Sequence, residues 1–288
     1  MHDNLNFEQL EQRRLLAVNV TTGKQGLLSI VGDAGDNDVF VVGTGVSGQV
    51  DVYVDGSYYD TFSGIKTIKA NMKGGDDLLE LTSIQIGGAV TADMGQGDDL
   101  FAIDTMPFFG GEGIAPPSSV FIGGSVIAKL GNNDGDQADI LTFFAGEGGP
   151  GITIGNNVTL AGADIYIGDI FGPFGSSAVD PGDINIGGFL KISNNGRDSS
   201  VILQNTNVGG TTVVSLGGGE DYVEVFTSSF ARRVAVSMGA GDDDLIVGFS
   251  SFAADVVANG GKGDDFLDAS TGNVTAFTPV VNGFETII

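Results

Sequence analysis

A turn built from glycine and a pair of acids recurs in this chain with a 22-residue period. Gly75-Asp76-Asp77 and Gly97-Asp98-Asp99 are one period apart, and Gly219-Glu220-Asp221, Gly241-Asp242-Asp243 and Gly263-Asp264-Asp265 keep the same interval near the C-terminus. A short unit repeated at constant spacing marks a stacked-repeat architecture. Each unit buries its apolar face only against its neighbours, so the stack cannot be divided into independent domains.

The residues around the turn test this expectation. Two positions after the last acid of each turn stand Leu79, Phe101, Val223, Leu245 and Leu267, and four after it Leu81, Ile103, Val225, Val247 and Ala269. Five before it are Met72, Met94, Leu216, Met238 and Gly260; seven before, Ala70, Ala92, Val214, Val236 and Ala258. The position between those two columns is polar: Asn71, Asp93, Ser215, Ser237 and Asn259. Alternation with period two on both sides of a turn places one strand after the acids and another before the glycines. A weaker apolar column nine residues after the acid (Ile86, Phe230, Phe252, Val274) suggests a third short strand. Two or three strands in a 22-residue coil are the dimensions of a parallel β-helix, with nine or ten rungs along the chain.

Two regions depart from this rhythm. Near the start, Gln49-Val50-Asp51-Val52-Tyr53-Val54 and Ser57-Tyr58-Tyr59-Asp60-Thr61-Phe62 flank Asp55-Gly56, a strong hairpin signal. Residues 46–64 are therefore expected to form a hairpin cap on the first rung. In the middle, strand units end near Met94, Leu130, Leu160, Ser193 and Leu216. The first three of these intervals clearly exceed the 22-residue repeat, and the last nearly matches it. The excess assigns added loops to residues 105–119, 143–151 and 168–183. These are rich in Pro and Gly and hold Phe108, Phe109, Phe143, Phe144, Phe171 and Phe174. Loops added to successive rungs at one corner lie side by side. The six phenylalanines then either form a ligand-binding surface or fold back to cover the coil.

Composition limits the partners. The chain of 288 residues has 37 acidic residues against 12 basic ones, a formal net charge of −25. It repels nucleic acid and anionic membrane surfaces and attracts cations. Cysteine is absent and there is a single histidine, His2, so disulfides, thiolate metal sites and histidine-based catalysis are not expected. No apolar run reaches bilayer-spanning length. The acids have their own consequence. Equivalent carboxylates on strands about 4.8 Å apart repel by about 1 kcal/mol in water and about 3–4 kcal/mol at an effective dielectric of 20. A hard cation that takes six to eight oxygens relieves this, and calcium suits an irregular site better than magnesium. The candidate metal ligands are Asp76, Asp77, Asp98, Asp99, Glu220, Asp221, Asp242, Asp243, Asp264 and Asp265. Without a metal, glycine supplies left-handed backbone and one Asp caps its own turn, which leaves the second acid of each pair unexplained.

Gly260-Gly261-Lys262-Gly263-Asp264-Asp265-Phe266-Leu267-Asp268 resembles the nonapeptide of the hemolysin-type RTX repeat family, and Gly239–Leu245, Gly217–Val223 and Gly95–Phe101 match it less the first glycine. The resemblance implies calcium held between adjacent turns by Asp side chains and turn carbonyls. RTX coils carry two such turns per coil, whereas this chain has one per repeat. Residues 8–17, with Leu10-Glu11 followed by Arg13, Leu15 and Leu16, resemble the LEPR-XLL motif of long repetitive planctomycete proteins, with Gln12 where that family has proline. That resemblance implies a bacterial, exported or surface-directed protein.

The sequence thus predicts an all-β chain: a leader over residues 1–18, then a single parallel, right-handed β-helix over 19–288, with looped rungs at 105–183 and regular rungs at 209–288. The expected role is a non-catalytic secreted or cell-surface structural or adhesive module that binds calcium. Carbohydrate, or further copies joined through an uncapped last rung, are the other partners considered. The alternative is a polysaccharide-active lyase or hydrolase with its site under the middle loops. For that reading, Lys66, Lys69, Lys129, Lys191, Arg197, Arg232 and Arg233 show no common column, and Asp pairs are too numerous for their spacing to be diagnostic of hydrolysis.

Overall fold

The computed structural model describes residues 18–105, 118–131, 139–145, 151–162, 164–168, 183–194, 198–276 and 278–288. Within them the chain is all-β, apart from one short 3₁₀ turn at Lys24–Gly26. The strands form three long sheets of eleven, twelve and eight members; beyond the N-terminal strands, sequence neighbours lie in different sheets and each strand pairs with its counterparts in the units before and after it. Nearly every pairing is parallel. This architecture is compatible with a β-helical solenoid.

Register follows the repeat wherever the sequence keeps it. In the twelve-strand sheet Leu78 pairs with Leu100, and Tyr222 with Asp244 and then Phe266. In the eleven-strand sheet Thr212 pairs with Val234 and then Val256. The period-two pattern turns one residue of each pair inward. Leu79, Leu81, Phe101, Ile103, Ile68, Ala70, Val90 and Ala92 are all buried, and they join Ile86, Ile122 and Ile154 of the eight-strand sheet in one continuous core. Burial of the Leu, Ile, Val and Phe side chains contributes about 1.5–3 kcal/mol each, and like stacked on like lets every rung use the same packing.

The N-terminal end carries antiparallel strands. Asn19–Thr22 pairs with Leu27–Val31. Val50–Val54 pairs antiparallel with both Asp38–Gly43 and Ser57–Phe62. The Asp55-Gly56 turn joins the last pair with both residues at positive φ, 49° and 70°, as a two-residue hairpin connection requires. Val50, Val52 and Val54 enter the core, and Tyr59 and Phe62 pack against it.

Three details differ from the sequence expectation. First, the middle of the eleven-strand sheet takes two equal long steps before returning to the shorter repeat: Val126 pairs with Val158, Val158 with Leu190 and Leu190 with Thr212. The column of Met94 and Leu130 continues through Gly162 and Asn194, so the apolar pattern falls on neighbouring residues instead. Secondly, Phe143 and Phe144 belong to the strand Ile140–Phe144, and Phe143 is fully buried in the core. They are not loop residues; the alternation of Leu141 and Phe143 continues the inward column of Phe101 and Ile103. Thirdly, Phe252 pairs with Thr275, not Val274. A register shift after Ile246, where Gly248 pairs with Thr271, adds one residue to the last full rung, and Val274 turns outward, 66% exposed. Phe108, Phe109, Phe171 and Phe174 lie outside the described residues, as do residues 1–17. Among the described residues no helix is long and apolar enough to cross a membrane.

Candidate functional site: two opposed carboxylate ladders

The acid pairs form the corner between the eleven- and twelve-strand sheets, where glycine is required. Gly241 and Gly263 have φ of 144° and 142°, and a Cβ on either would lie 1.8–1.9 Å from a carbonyl oxygen of the preceding rung. Only glycine permits so close a stack with that backbone. The turn backbone remains part of the sheet: Gly219 N–H donates to the Ala240 carbonyl, Ala240 N–H to Gly217 and Gly241 N–H to Lys262.

The second acid of each pair points in. Asp77, Asp99, Asp221, Asp243 and Asp265 are 0–2% exposed. The side chains of Asp77, Asp99, Asp243 and Asp265 reach back to the preceding rung. The backbone N–H of Asn37 donates to Asp77 Oδ1 (2.9 Å), Asp77 N–H to Asp99 Oδ1 (3.0 Å) and Asp99 N–H to Asp139 Oδ1 (2.9 Å). In the C-terminal run Asp221 N–H donates to Asp243 Oδ1 (2.8 Å), Asp243 N–H to Asp265 Oδ1 (3.0 Å) and Asp265 N–H to Glu285 Oε2 (2.8 Å). Asn37 and Ser199 occupy the same inner column and are buried as well. Asn37, Asp139, Ser199 and Glu285 are not apparent from the motif, because a changed residue type or an inserted segment hides them from a search for Gly-Asp-Asp.

Asp76, Glu220, Asp242 and Asp264 point out, with Asp98 half-buried, and this ladder runs the other way. Asp76 N–H donates to Asp36 Oδ1 (2.9 Å), Asp98 N–H to Asp76 Oδ1 (3.0 Å), Glu220 N–H to Asp198 Oδ1 (2.8 Å) and Asp264 N–H to Asp242 Oδ1 (2.9 Å). The inner carboxylates thus cap the rung before and the outer ones the rung after. The carboxylates of Asp76 and Asp242 are accounted for in this way; for Asp98, Glu220 and Asp264 it is the backbone N–H that takes part.

Stacking buried carboxylates has an electrostatic cost, visible in their titration. Burial pushes Asp77 up to about 7; the Asn37 N–H opposes this, and Asp99, Asp36 and Asp33 add to it. Burial raises Asp99 to about 6, against the Asp77 N–H and with Asp139, Asp76 and Asp98. Asp221 also reaches about 6 through burial, with Ser199 opposing and Asp243 adding. Asp243 and Asp265 shift upward for the same leading reason. The second oxygens of Asp77, Asp99, Asp243 and Asp265 are buried without a hydrogen-bond partner. A proton on the carboxyl removes the charge that burial penalises.

Those spare oxygens also provide the test of a calcium cage. Calcium takes six to eight oxygens; Asp77, Asp99, Asp243 and Asp265 each give one oxygen to an N–H of the rung before, and the carbonyls of Gly217, Ala240 and Lys262 each accept one N–H. Among the described residues no three acidic or histidine side chains converge on a common point. What remains open to a cation is the outer column, where Asp36, Asp76, Asp198, Glu220, Asp242 and Asp264 are exposed.

Lys69 and Lys191 do share an outward column of the eleven-strand sheet, contrary to the sequence expectation, but Thr91, Ile127 and Thr159 stand between them. They are too far apart to form one basic cleft.

No family model, no curated protein and no solved structure matches the chain.

Proposed function

We propose that the chain is a non-catalytic structural or adhesive module of a secreted or cell-surface protein. In this reading it is a single right-handed parallel β-helix of 22-residue rungs whose outer acid column takes calcium as a bridging counter-ion. One observation carries the reading: both residues of each acid pair take part in rung-to-rung hydrogen bonds, so the most distinctive residues of the sequence serve to hold the stack together. A column of exposed carboxylates at the spacing of strands, in a chain of net charge −25, concentrates divalent cations without a dedicated cage.

Thermal melting against calcium tests the cation half. Millimolar calcium is expected to raise Tm more than equal magnesium, and the gain is expected to shrink when Asp242 and Asp264 are both changed to Asn. No shift with calcium, and none on chelation, ends this half of the proposal. The non-catalytic half is tested by incubating the protein with neutral and acidic polysaccharides and measuring new reducing ends or unsaturated products; turnover of either kind overturns it.

A further inference from the structure

The three sheets differ in charge. The twelve-strand sheet carries Asp38, Asp51, Glu80, Asp164, Glu224, Asp244 and others, and the eleven-strand sheet carries Lys69, Asp93, Lys129 and Lys191. None of the eight strands of the third sheet holds a charged residue. In a chain with 37 acids, the described strands of this sheet carry no charge.

That face is also grooved. The outward row runs Phe121, Thr153, Asn185, Asn207 and Ser229, paired in register from rung to rung. Beside it the corner has almost no side chains, because Gly155, Gly187 and Gly209 stack there. A Cβ on any of them would lie 2.5–2.7 Å from a carbonyl of the rung before, so the bare corner is enforced by the stacking itself. Row and corner together bound an open groove of about 340 Å³ running along the stack. Asn207 Nδ2 donates to Asn185 Oδ1 (3.2 Å), which fixes both amides and leaves Asn185 Nδ2 and Asn207 Oδ1 without a partner in that pair. Phe121, 46% exposed, extends the row by one rung with an aromatic face.

We propose that this groove binds a neutral oligosaccharide lying along the stack, with hydroxyls on the Thr153–Ser229 row and an apolar sugar face on Phe121. The chemistry excludes the other occupants. Nucleic acid and anionic glycans are repelled by the chain as a whole. A basic peptide is drawn to the acidic corners. Strand addition needs an unpaired edge, and these central strands are hydrogen-bonded on both sides. A polyhydroxylated uncharged chain matches fixed donors and acceptors repeated at the strand spacing, and aromatic rings offer it area at little entropic cost. The site is separate from the acidic corner and does not depend on calcium there.

The test is calorimetric titration with cellohexaose and chitohexaose, with an oligogalacturonate as the anionic control, in calcium and in chelator. Saturable binding of a neutral hexasaccharide is expected, unchanged by chelation. The N185A/N207A double variant is expected to weaken it about tenfold or more. Thr153→Arg, on an exposed position that leaves the core untouched, is expected to block it by bulk. No binding of either neutral sugar, binding of the anionic control alone, or binding that survives both variants with an unchanged melting curve overturns the proposal.

Discussion

The chain passes from the twelve-strand sheet to the eight-strand sheet in two different ways, according to region. In the C-terminal rungs the passage is a single left-handed residue, Asn205, Thr227 or Phe249, with φ of 47–49°. A buried polar residue follows: Thr206, Ser228 and Ser250, with Asn273 next in the same column. Thr206 N–H donates to Ser228 Oγ (3.2 Å), Ser228 N–H to Ser250 Oγ (3.1 Å) and Ser250 N–H to Asn273 Oδ1 (3.0 Å). In the middle rungs the same column is aliphatic, Val120, Ile152 and Ile184, and the N–H groups reach backbone carbonyls of Gly151, Asp183 and Asn205 instead. Those are the rungs with added residues at this corner. In the tight C-terminal corners a side-chain oxygen takes the part of the carbonyl, whereas after Ser83, also left-handed at φ 53°, the same column holds the buried Ile84. Where the corner is lengthened, the backbone satisfies itself and the position reverts to core.

The largest effect is expected where the tight stack tolerates least. Gly241→Ala forces both an unfavourable φ and a backbone clash and should cost roughly 3 kcal/mol or more. Gly87→Ala, with nothing within 4 Å of the added Cβ and a φ outside the left-handed range, should be neutral or stabilise by about 0.4–1 kcal/mol. Urea unfolding of the two variants checks the contrast, and equal losses would break it.

Second in size is the pH dependence of the inner acids. Their folded pKa values lie above the ordinary 3.8, at about 7 for Asp77 and about 6 for Asp99 and Asp221. The fold therefore favours their protonated form. The stability they contribute is complete below about pH 4 and is lost as pH rises through 6 to 7. Tm should fall between pH 4.5 and 8, on the order of 5–10 °C in all; a flat or rising profile would contradict the burial of these carboxyls.

Third, Ser250→Ala removes the acceptor of the buried Ser228 N–H and should cost about 1–3 kcal/mol. Ile152→Val, one methylene at the equivalent position of a looped rung, should cost about 0.5–1.5 kcal/mol. Similar losses would argue against a ladder confined to the tight corners. The smallest effect is expected from Asp99→Asn, which copies Asn37, the residue that fills the same inner column in the first rung. It keeps an oxygen for the Asp77 N–H and removes the buried charge. It should raise stability at pH 8 by about 1 kcal/mol, leave it unchanged at pH 4.5, and flatten the pH profile.

Much of the fold is legible in the sequence because period and pattern reinforce each other. The columns through Leu79 and Phe101, and through Met72 and Met94, face the core in the positions that alternation assigns them, and Asp55-Gly56 turns where two alternating runs meet. The pattern fails where a column residue is neither apolar nor at the expected distance. Gly162 and Asn194 displace the middle rungs by a residue or two, and the extra residue after Ile246 turns Val274 outward. Phe143 reads as a loop residue because it adjoins an inserted segment, although its spacing from Leu141 is that of a strand. The candidate site is half legible. The acids and their interval stand in the sequence, but their hydrogen-bond partners are backbone N–H groups of a neighbouring rung, a full repeat away in the chain or farther where a segment is inserted.

A strict interval, two alternating strands and an obligatory glycine turn were enough for the sequence alone to determine that this chain stacks parallel strands with an acidic corner. That follows because periodicity is a property of the order of residues. What the acids do was decided by the tertiary structure. Whether a carboxylate meets a cation, a proton or a neighbour's N–H depends on which way its side chain turns and how deeply it is buried. Identical Asp-Asp pairs gave one carboxylate facing the core and one facing solvent, with ladders of opposite sense. The neutral groove likewise exists only in three dimensions, where Thr153, Asn185, Asn207 and Ser229, far apart along the chain, come to stand in one row.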